Sequence, residues 1–196
     1  MRTPILATGE YYHIYNRGVE KRTIFIEDND YRKFLAGCVA ANRCGDRIED
    51  ESWSKPLVGV VAYAVMPNHY HFLLRQEVDG GISRFMHRLG TSYGMYFNKK
   101  YDHKGRVLAG SFKAKIVENQ AYLQWLIRYI HMNPADLFTG DAASPEAFAF
   151  LSKYPWSSMR TYVSRGFDPV LNAPMWSLFD QVDYSGSAPS LDLIEA

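Results

Sequence analysis

An α+β fold, an antiparallel sheet with helices packed on one face, is what this 196-residue sequence predicts. Three observations lead there. Short apolar runs, alternating or continuous, mark four strands, and apolar residues at helical spacing mark three longer helices. The two kinds interleave as β, α, β, β, α, β, α. Two of the strands are separated only by a turn, which requires an antiparallel pair. The order is similar to a ferredoxin-like sandwich, here with a C-terminal extension.

Tyr11 to Arg17 mixes aromatic and β-branched residues in the manner of a strand, and Thr23-Ile24-Phe25-Ile26 is a short extended piece. A helix follows, capped by Asp28 or Asn29, with Phe34, Leu35, Cys38 and Val39 as its apolar stripe and Gly45 as its stop. Arg43 to Lys55 is polar and reads as a loop. Leu57 to Met66 is continuously apolar, the pattern of a buried strand; Pro67-Asn68 turns the chain, and His69 to Arg75 is the next strand. Ile82, Phe85, Met86, Leu89, Tyr93, Tyr96 and Phe97 recur at helical spacing over residues 81 to 99, where their aromatics serve as core. A basic connector, Lys99 to Gly110, leads into Ser111 to Val117, where Phe112, Ala114 and Ile116 alternate with outward-facing Lys113 and Lys115. Asn119 caps a third helix that Pro134 ends.

Beyond Pro134 the pattern weakens. Pro145 to Lys153 and Trp156 to Val163 read as short helices, and Pro169, Pro174 and Pro189 punctuate an irregular tail. Trp176, Leu178 and Phe179 predict that part of the tail docks, with the last ten residues disordered. The expected organisation is a domain over residues 1–163 and a partly docked tail over 164–196.

With 47% hydrophobic residues the chain can bury a substantial core. Its apolar runs are too short to span a bilayer and its start lacks a secretory pattern, so no membrane partner and a cytoplasmic location are expected. Cys38 and Cys44 fall in the first helix and at its end, without the spacing of a zinc site or disulfide framework, and read as reduced thiols. The net charge of +1 hides a segregation: residues 81–130 carry +7, residues 135–196 carry −5 and the first 80 carry −1. A basic middle fits a phosphate-binding face, although a solvated helix face gives the same pattern. No Gly-rich phosphate loop is present, which argues against a nucleotide cofactor.

The densest chemistry lies in Met66-Pro67-Asn68-His69-Tyr70-His71-Phe72-Leu73-Leu74. Successive strand side chains alternate, so His69 and His71 share one face and Tyr70 and Phe72 the other. In Arg128-Tyr129-Ile130-His131-Met132-Asn133-Pro134 the i, i+4 spacing points Tyr129 and Asn133 the same way. Two imidazoles, a phenol and an amide are the parts of a metal-assisted DNA nicking site with a tyrosine nucleophile, Asn133 being a plausible third ligand. Such a ligand set, with open positions, accepts Mg²⁺ or Mn²⁺, with zinc as the competitor; no His-Glu-x-x-His helix supports a protease site. Tyr122 is the rival nucleophile, two turns earlier, but its i+4 residue is Leu126. His131 is an alternative ligand, rotated to another side of the helix.

These residues resemble a known family. The His-hydrophobic-His segment looks like the HUH motif of single-strand DNA endonucleases. The larger pattern resembles the REP-associated tyrosine transposases, single-tyrosine enzymes similar to IS200-like transposases. Four motifs occur in the family's order across residues 11–162: Tyr12-His13-Ile14-Tyr15-Asn16-Arg17-Gly18-Val19, Ala62 to His71, Tyr129 to Pro134, and Tyr154-Pro155-Trp156-Ser157-Ser158. Ser111 departs from it, since members often carry Arg there. The resemblance implies single-stranded DNA with hairpin-forming REP-type palindromes as partner. It further implies a 5′-phosphotyrosine intermediate with a free 3′-hydroxyl, strand transfer without ATP, and a monomer. Arg17, Arg84, Arg88, Lys104, Arg106, Lys113 and Lys115 are the candidate DNA contacts. Competing readings are a relaxase or replication-initiator-like nickase, and a non-catalytic ferredoxin-like nucleic-acid-binding module whose aromatics stack bases.

Overall fold

The protein is represented by a computed structural model that describes residues 6–43 and 55–185. Strands β1 (Tyr11–Arg17), β2 (Val58–Met66), β3 (His69–Gln76) and β4 (Lys113–Ile116) form one sheet in the order β2-β3-β1-β4. Every neighbouring pair is antiparallel, with Met66 opposite His69 across the β2–β3 hairpin and Tyr15 opposite His71 across β1–β3. Helix α1 (Asp28–Ala41) connects β1 to β2, and α2 (Gly81–Lys100) connects β3 to β4. This is the ferredoxin-like arrangement that the element order predicts.

All nine residues of β2 are buried, and a strand apolar on both sides needs cover on both faces. On one face Tyr12, Ile14, Tyr70, Phe72 and Leu74 pack with Phe34 of α1 and Phe85, Leu89 and Tyr93 of α2. On the other, Val61, Ala62, Ala64 and Leu73 pack with Leu126, Ile127 and Ile130 of α3 (Gln120–Met132). The expectation of helices on one face therefore holds for α1 and α2 and is corrected for α3, which supplies the second cover that β2 requires.

Local chemistry explains the helix ends. Asn119 caps α3 as expected, accepting a hydrogen bond from the Tyr122 N–H at 2.8 Å. The cap of α1 lies at Glu27 rather than Asp28 or Asn29. Buried Asp30 decides this by accepting from the Ile26 and Glu27 N–H groups at 2.8 and 3.0 Å, and it also binds Lys100, Tyr96 and Tyr101. Cys38 is a buried free thiol. The expected stop at Gly45, Cys44, most of the polar loop and the last ten residues lie outside the described residues.

The C-terminal part adds α4 (Pro145–Lys153), α5 (Met159–Ser164) and α6 (Trp176–Phe179). Its connecting segments close the outer edge of β2: the Val65 N–H donates to the Trp156 carbonyl at 2.9 Å, the Val60 N–H to the Asn172 side chain at 2.6 Å, and the Ala173 N–H to the Val60 carbonyl at 3.2 Å. An edge strand left open is a template for association, so this cover has a clear use. It also delays the helix expected from Trp156, which begins at Met159 once Trp156 and Ser157 have paired with β2. Among the described residues no helix is long and apolar enough to cross a membrane.

His131 is fully buried where α3 meets this extension, with Nδ1 2.7 Å from the Tyr184 hydroxyl and Nε2 2.9 Å from Ser158 Oγ. Burial pushes its pKa down from 6.5 to about 3, and burial together with Lys115 does the same to His13. Below pH 6.5 the unfolded chain takes up protons that these folded imidazoles refuse. Stability from them is therefore complete above 6.5 and is lost as pH falls towards 3, by about 1.4 kcal/mol per pH unit for each histidine. Urea titrations at about pH 7 and about pH 5 should show this loss, and His131→Gln should lower its slope by about one proton. A slope unaltered by that substitution would contradict the assignment.

Candidate active site

The Pro67-Asn68 turn launches β3 with His69 and His71 on the face that α3 covers, while Tyr70 and Phe72 enter the α1/α2 core. Pro134 cannot continue the N–H ladder, so α3 gives way to a 3₁₀ turn over Asn133–Leu137. Asn133 keeps right-handed helical angles (φ −53°, ψ −39°), which holds its amide one turn beyond Tyr129 on the same helix face.

Four polar groups converge there. His69 Nε2 lies 2.9 Å from Asn133 Oδ1, the Asn133 amide donates to the Tyr129 hydroxyl at 3.4 Å, and that hydroxyl lies 3.5 Å from His71 Nε2. Asn68 Oδ1 holds the other nitrogen of His69 at 2.6 Å. Trp125, one turn back on α3, stacks on the Tyr129 ring at 5.4 Å with an interplanar angle of 5°, which fixes the phenol. Tyr129 and His71 are buried and His69 is partly open. Burial, reinforced by neighbouring His13 and His69, pushes His71 well below the ordinary imidazole pKa. Burial also lowers His69, partly opposed by its hydrogen bond to Asn133. Both rings are thus neutral near pH 7, the form that binds a metal.

The donor set passes the test for a metal. His69 Nε2 meets the Asn133 amide oxygen at 2.9 Å and the His71 ring lies 5.1 Å from the His69 ring, centre to centre, so two neutral imidazoles and an amide oxygen are gathered where they could hold a cation. The mixture suits Mg²⁺ through oxygen and Mn²⁺ through nitrogen as well. Among the described residues no group of three or more His, Cys, Asp or Glu side chains is placed to hold a metal ion.

A cavity of 540 Å³ opens onto His69 and His71, and Arg17, Lys21 and Lys113 line it with Asp136 as their counter-charge. Lys115 is two residues further along β4, with Nζ 5.5 Å from the centre of the Tyr122 ring. Lys104 and Arg106 line an adjoining groove that shares Ala109 with the cavity. Arg84 and Arg88 are directed elsewhere: Arg84 donates to the Asp79 carbonyl at 3.2 Å and Arg88 to the Arg43 carbonyl at 2.6 Å. Ser111 lines the cavity in the place where an Arg was expected from the resemblance.

Tyr122 lies two turns from Tyr129, about 10 Å along the helix. Its buried hydroxyl has no hydrogen-bond partner among the described residues. His131 uses both ring nitrogens on Tyr184 and Ser158, away from the histidine pair. Sequence reasoning did not single out His13, Lys21 or Trp125. Alternation along β1 places His13 and Tyr15 on one face, but only the β1–β3 register brings His13 diagonally against His71. Lys21 reaches the cavity from the short 3₁₀ turn Val19–Lys21, where its φ is +60°. Trp125 is four residues before Tyr129, the spacing of a stacked pair on one helix face.

A search of curated proteins finds no match. Among solved structures, a REP-associated tyrosine transposase bound to a REP hairpin shares the fold, with a TM-score of 0.60 and 16% identity over 97% of this chain and 99% of that one. A bacterial tRNA(His) guanylyltransferase-like protein in complex with GTP is a weaker likeness, with a TM-score of 0.40 and 10% identity over 76% of this chain and 72% of that one. The sequence profile of the family described as "Transposase IS200 like" matches residues 10–133, a span that holds all four strands, both histidines, Tyr129 and Asn133. The chain belongs to the IS200-like transposase family.

Proposed function

We propose that this protein nicks and rejoins single-stranded DNA beside palindromic REP-type hairpins, with Tyr129 as the nucleophile. The observation that carries this reading is the chain of contacts from His69 through Asn133 and Tyr129 to His71. His69, His71 and Asn133 would hold Mg²⁺ or Mn²⁺, which when bound polarises the scissile phosphate. The Tyr129 oxygen attacks phosphorus, the bond from phosphorus to the 3′-oxygen breaks, and the 5′-phosphate becomes linked to the phenol. The phenol proton leaves to solvent and the 3′-oxygen gains one. Reversal by a 3′-hydroxyl rejoins DNA without ATP, because the phosphodiester energy is kept in the tyrosine link. Trp125 holds the ring, and Arg17, Lys21 and Lys113 offset the charge of the incoming strand. The reading extends to a monomer, since one chain supplies the tyrosine, both histidines and the amide.

A labelled hairpin oligonucleotide with a single-stranded flank, incubated with Mg²⁺ or Mn²⁺, should yield a free 3′-hydroxyl and a protein-linked 5′ end, and EDTA should stop the reaction. A released 5′-phosphate without any protein link would overturn the tyrosine mechanism, and full activity in EDTA would overturn the metal.

Lys113 and Lys115 both project on the histidine face of β4, so their joint replacement by Gln should weaken hairpin binding and flatten its salt dependence. Each lysine that ceases to neutralise a phosphate reduces the slope of log affinity against log salt by roughly 0.7 to 0.9. An unchanged slope would assign both lysines to a solvated face.

A further inference from the structure

His13 stands outside the set of groups assigned above, yet its Nε2 lies 2.9 Å from His71 Nδ1, and its ring stacks on His71 at 5.1 Å and on Tyr15 at 4.8 Å. It is fully buried in β1, and its Nδ1 has no hydrogen-bond partner among the described residues. A buried nitrogen left unpaired is unfavourable, so packing alone would be served better by an apolar side chain of similar size. The feature that only histidine supplies here is the contact with His71.

That contact has a chemical consequence. A neutral imidazole carries one proton, on either Nδ1 or Nε2, and the nitrogen that binds a metal must be the bare one. His71 directs Nε2 towards the Tyr129 hydroxyl, which the Asn133 amide also meets, so ligation from that nitrogen requires the proton on Nδ1, where it needs an acceptor. His13 Nε2 sits at that position. We infer that His13 is the positioning residue of the metal centre: it accepts the Nδ1 proton of His71, fixes that ring's tautomer and rotation, and so presents Nε2 to the cation. The inference rests on the metal site proposed above. The same arrangement is general among metal-bound histidines, whose second nitrogen is held by an outer acceptor, and loss of that acceptor weakens metal binding by roughly 10- to 100-fold.

The test compares His13→Leu, which keeps bulk and removes the acceptor, with His13→Gln, whose amide oxygen reaches the place of Nε2. Mn²⁺ affinity is measured by calorimetry on the full chain without DNA, alongside thermal unfolding without metal. His13→Leu should bind Mn²⁺ roughly 10- to 100-fold more weakly while unfolding at the same or a higher temperature, and His13→Gln should restore most of the affinity. Weak binding by both variants, or wild-type affinity in His13→Leu, overturns the role of His13. Should the Leu variant fail to fold, ¹⁵N spectra of the wild-type protein loaded with Mg²⁺ decide the matter: a proton on Nδ1 of His71 supports the inference and a proton on Nε2 overturns it. Failure of the wild-type protein to bind Mn²⁺ or Mg²⁺ at all would overturn the metal site itself, a result distinct from either of these.

Discussion

Tyr129→Phe should eliminate both nicking and the covalent protein–DNA adduct, a fall of at least about 10³-fold in cleavage, while hairpin affinity stays unchanged. The substitution keeps the ring, its stack on Trp125 and its burial against α3. It removes a hydroxyl whose contacts with the Asn133 amide and His71, at 3.4 and 3.5 Å, are long. Long hydrogen bonds contribute little, so the stability change should remain within about 1 kcal/mol. Tyr122→Phe should keep both activities, because that hydroxyl is buried two turns along α3 from Tyr129 and has no hydrogen bond to either histidine among the described residues. Peptide mapping of trapped adducts checks the assignment directly. DNA on the peptide bearing Tyr122, or vigorous adduct formation by Tyr129→Phe, would require another nucleophile.

Removal of either imidazole proposed to hold the metal should be as damaging to cleavage, but with different effects on the fold. His69 is partly open to the cavity, so His69→Ala should abolish metal-dependent nicking with a stability change of about 1 kcal/mol or less. His71 is buried to 3% exposure and contacts both His13 and Tyr129. His71→Ala leaves the buried His13 Nε2 without its partner, at a cost of about 1–3 kcal/mol beyond the packing it forfeits. Chemical denaturation and a nicking assay on the same preparations separate the two effects. Cleavage by either variant at the wild-type rate would remove that histidine from the proposed site.

The α1/α2 side of the fold was legible because its information is local. Helical spacing marks Phe85, Leu89 and Tyr93, the continuous apolar run marks β2, and Pro67-Asn68 marks the hairpin, each within a few residues of chain. The motif positions were equally legible, since strand alternation pairs His69 with His71 and helix spacing pairs Tyr129 with Asn133 wherever those segments lie. The family match over residues 10–133 agrees with the resemblance that those motifs carry to the IS200-like transposases.

Periodicity, however, describes one element at a time. It says that β2 is apolar on both sides, but not that α3 is the element that crosses to the second face and brings Tyr129 to the histidines. It could not show that His13 meets His71, because that contact depends on the offset between β1 and β3, a choice made by the whole sheet. Nor could it divide the cations, since Arg84 and Arg88 carry the same charge as Arg17 and Lys113 and differ only in where α2 and its neighbours direct them. Charge and residue type are properties of the chain, and they determined what chemistry was available; burial, register and neighbourhood are properties of the folded body, and they decided which of those groups meet.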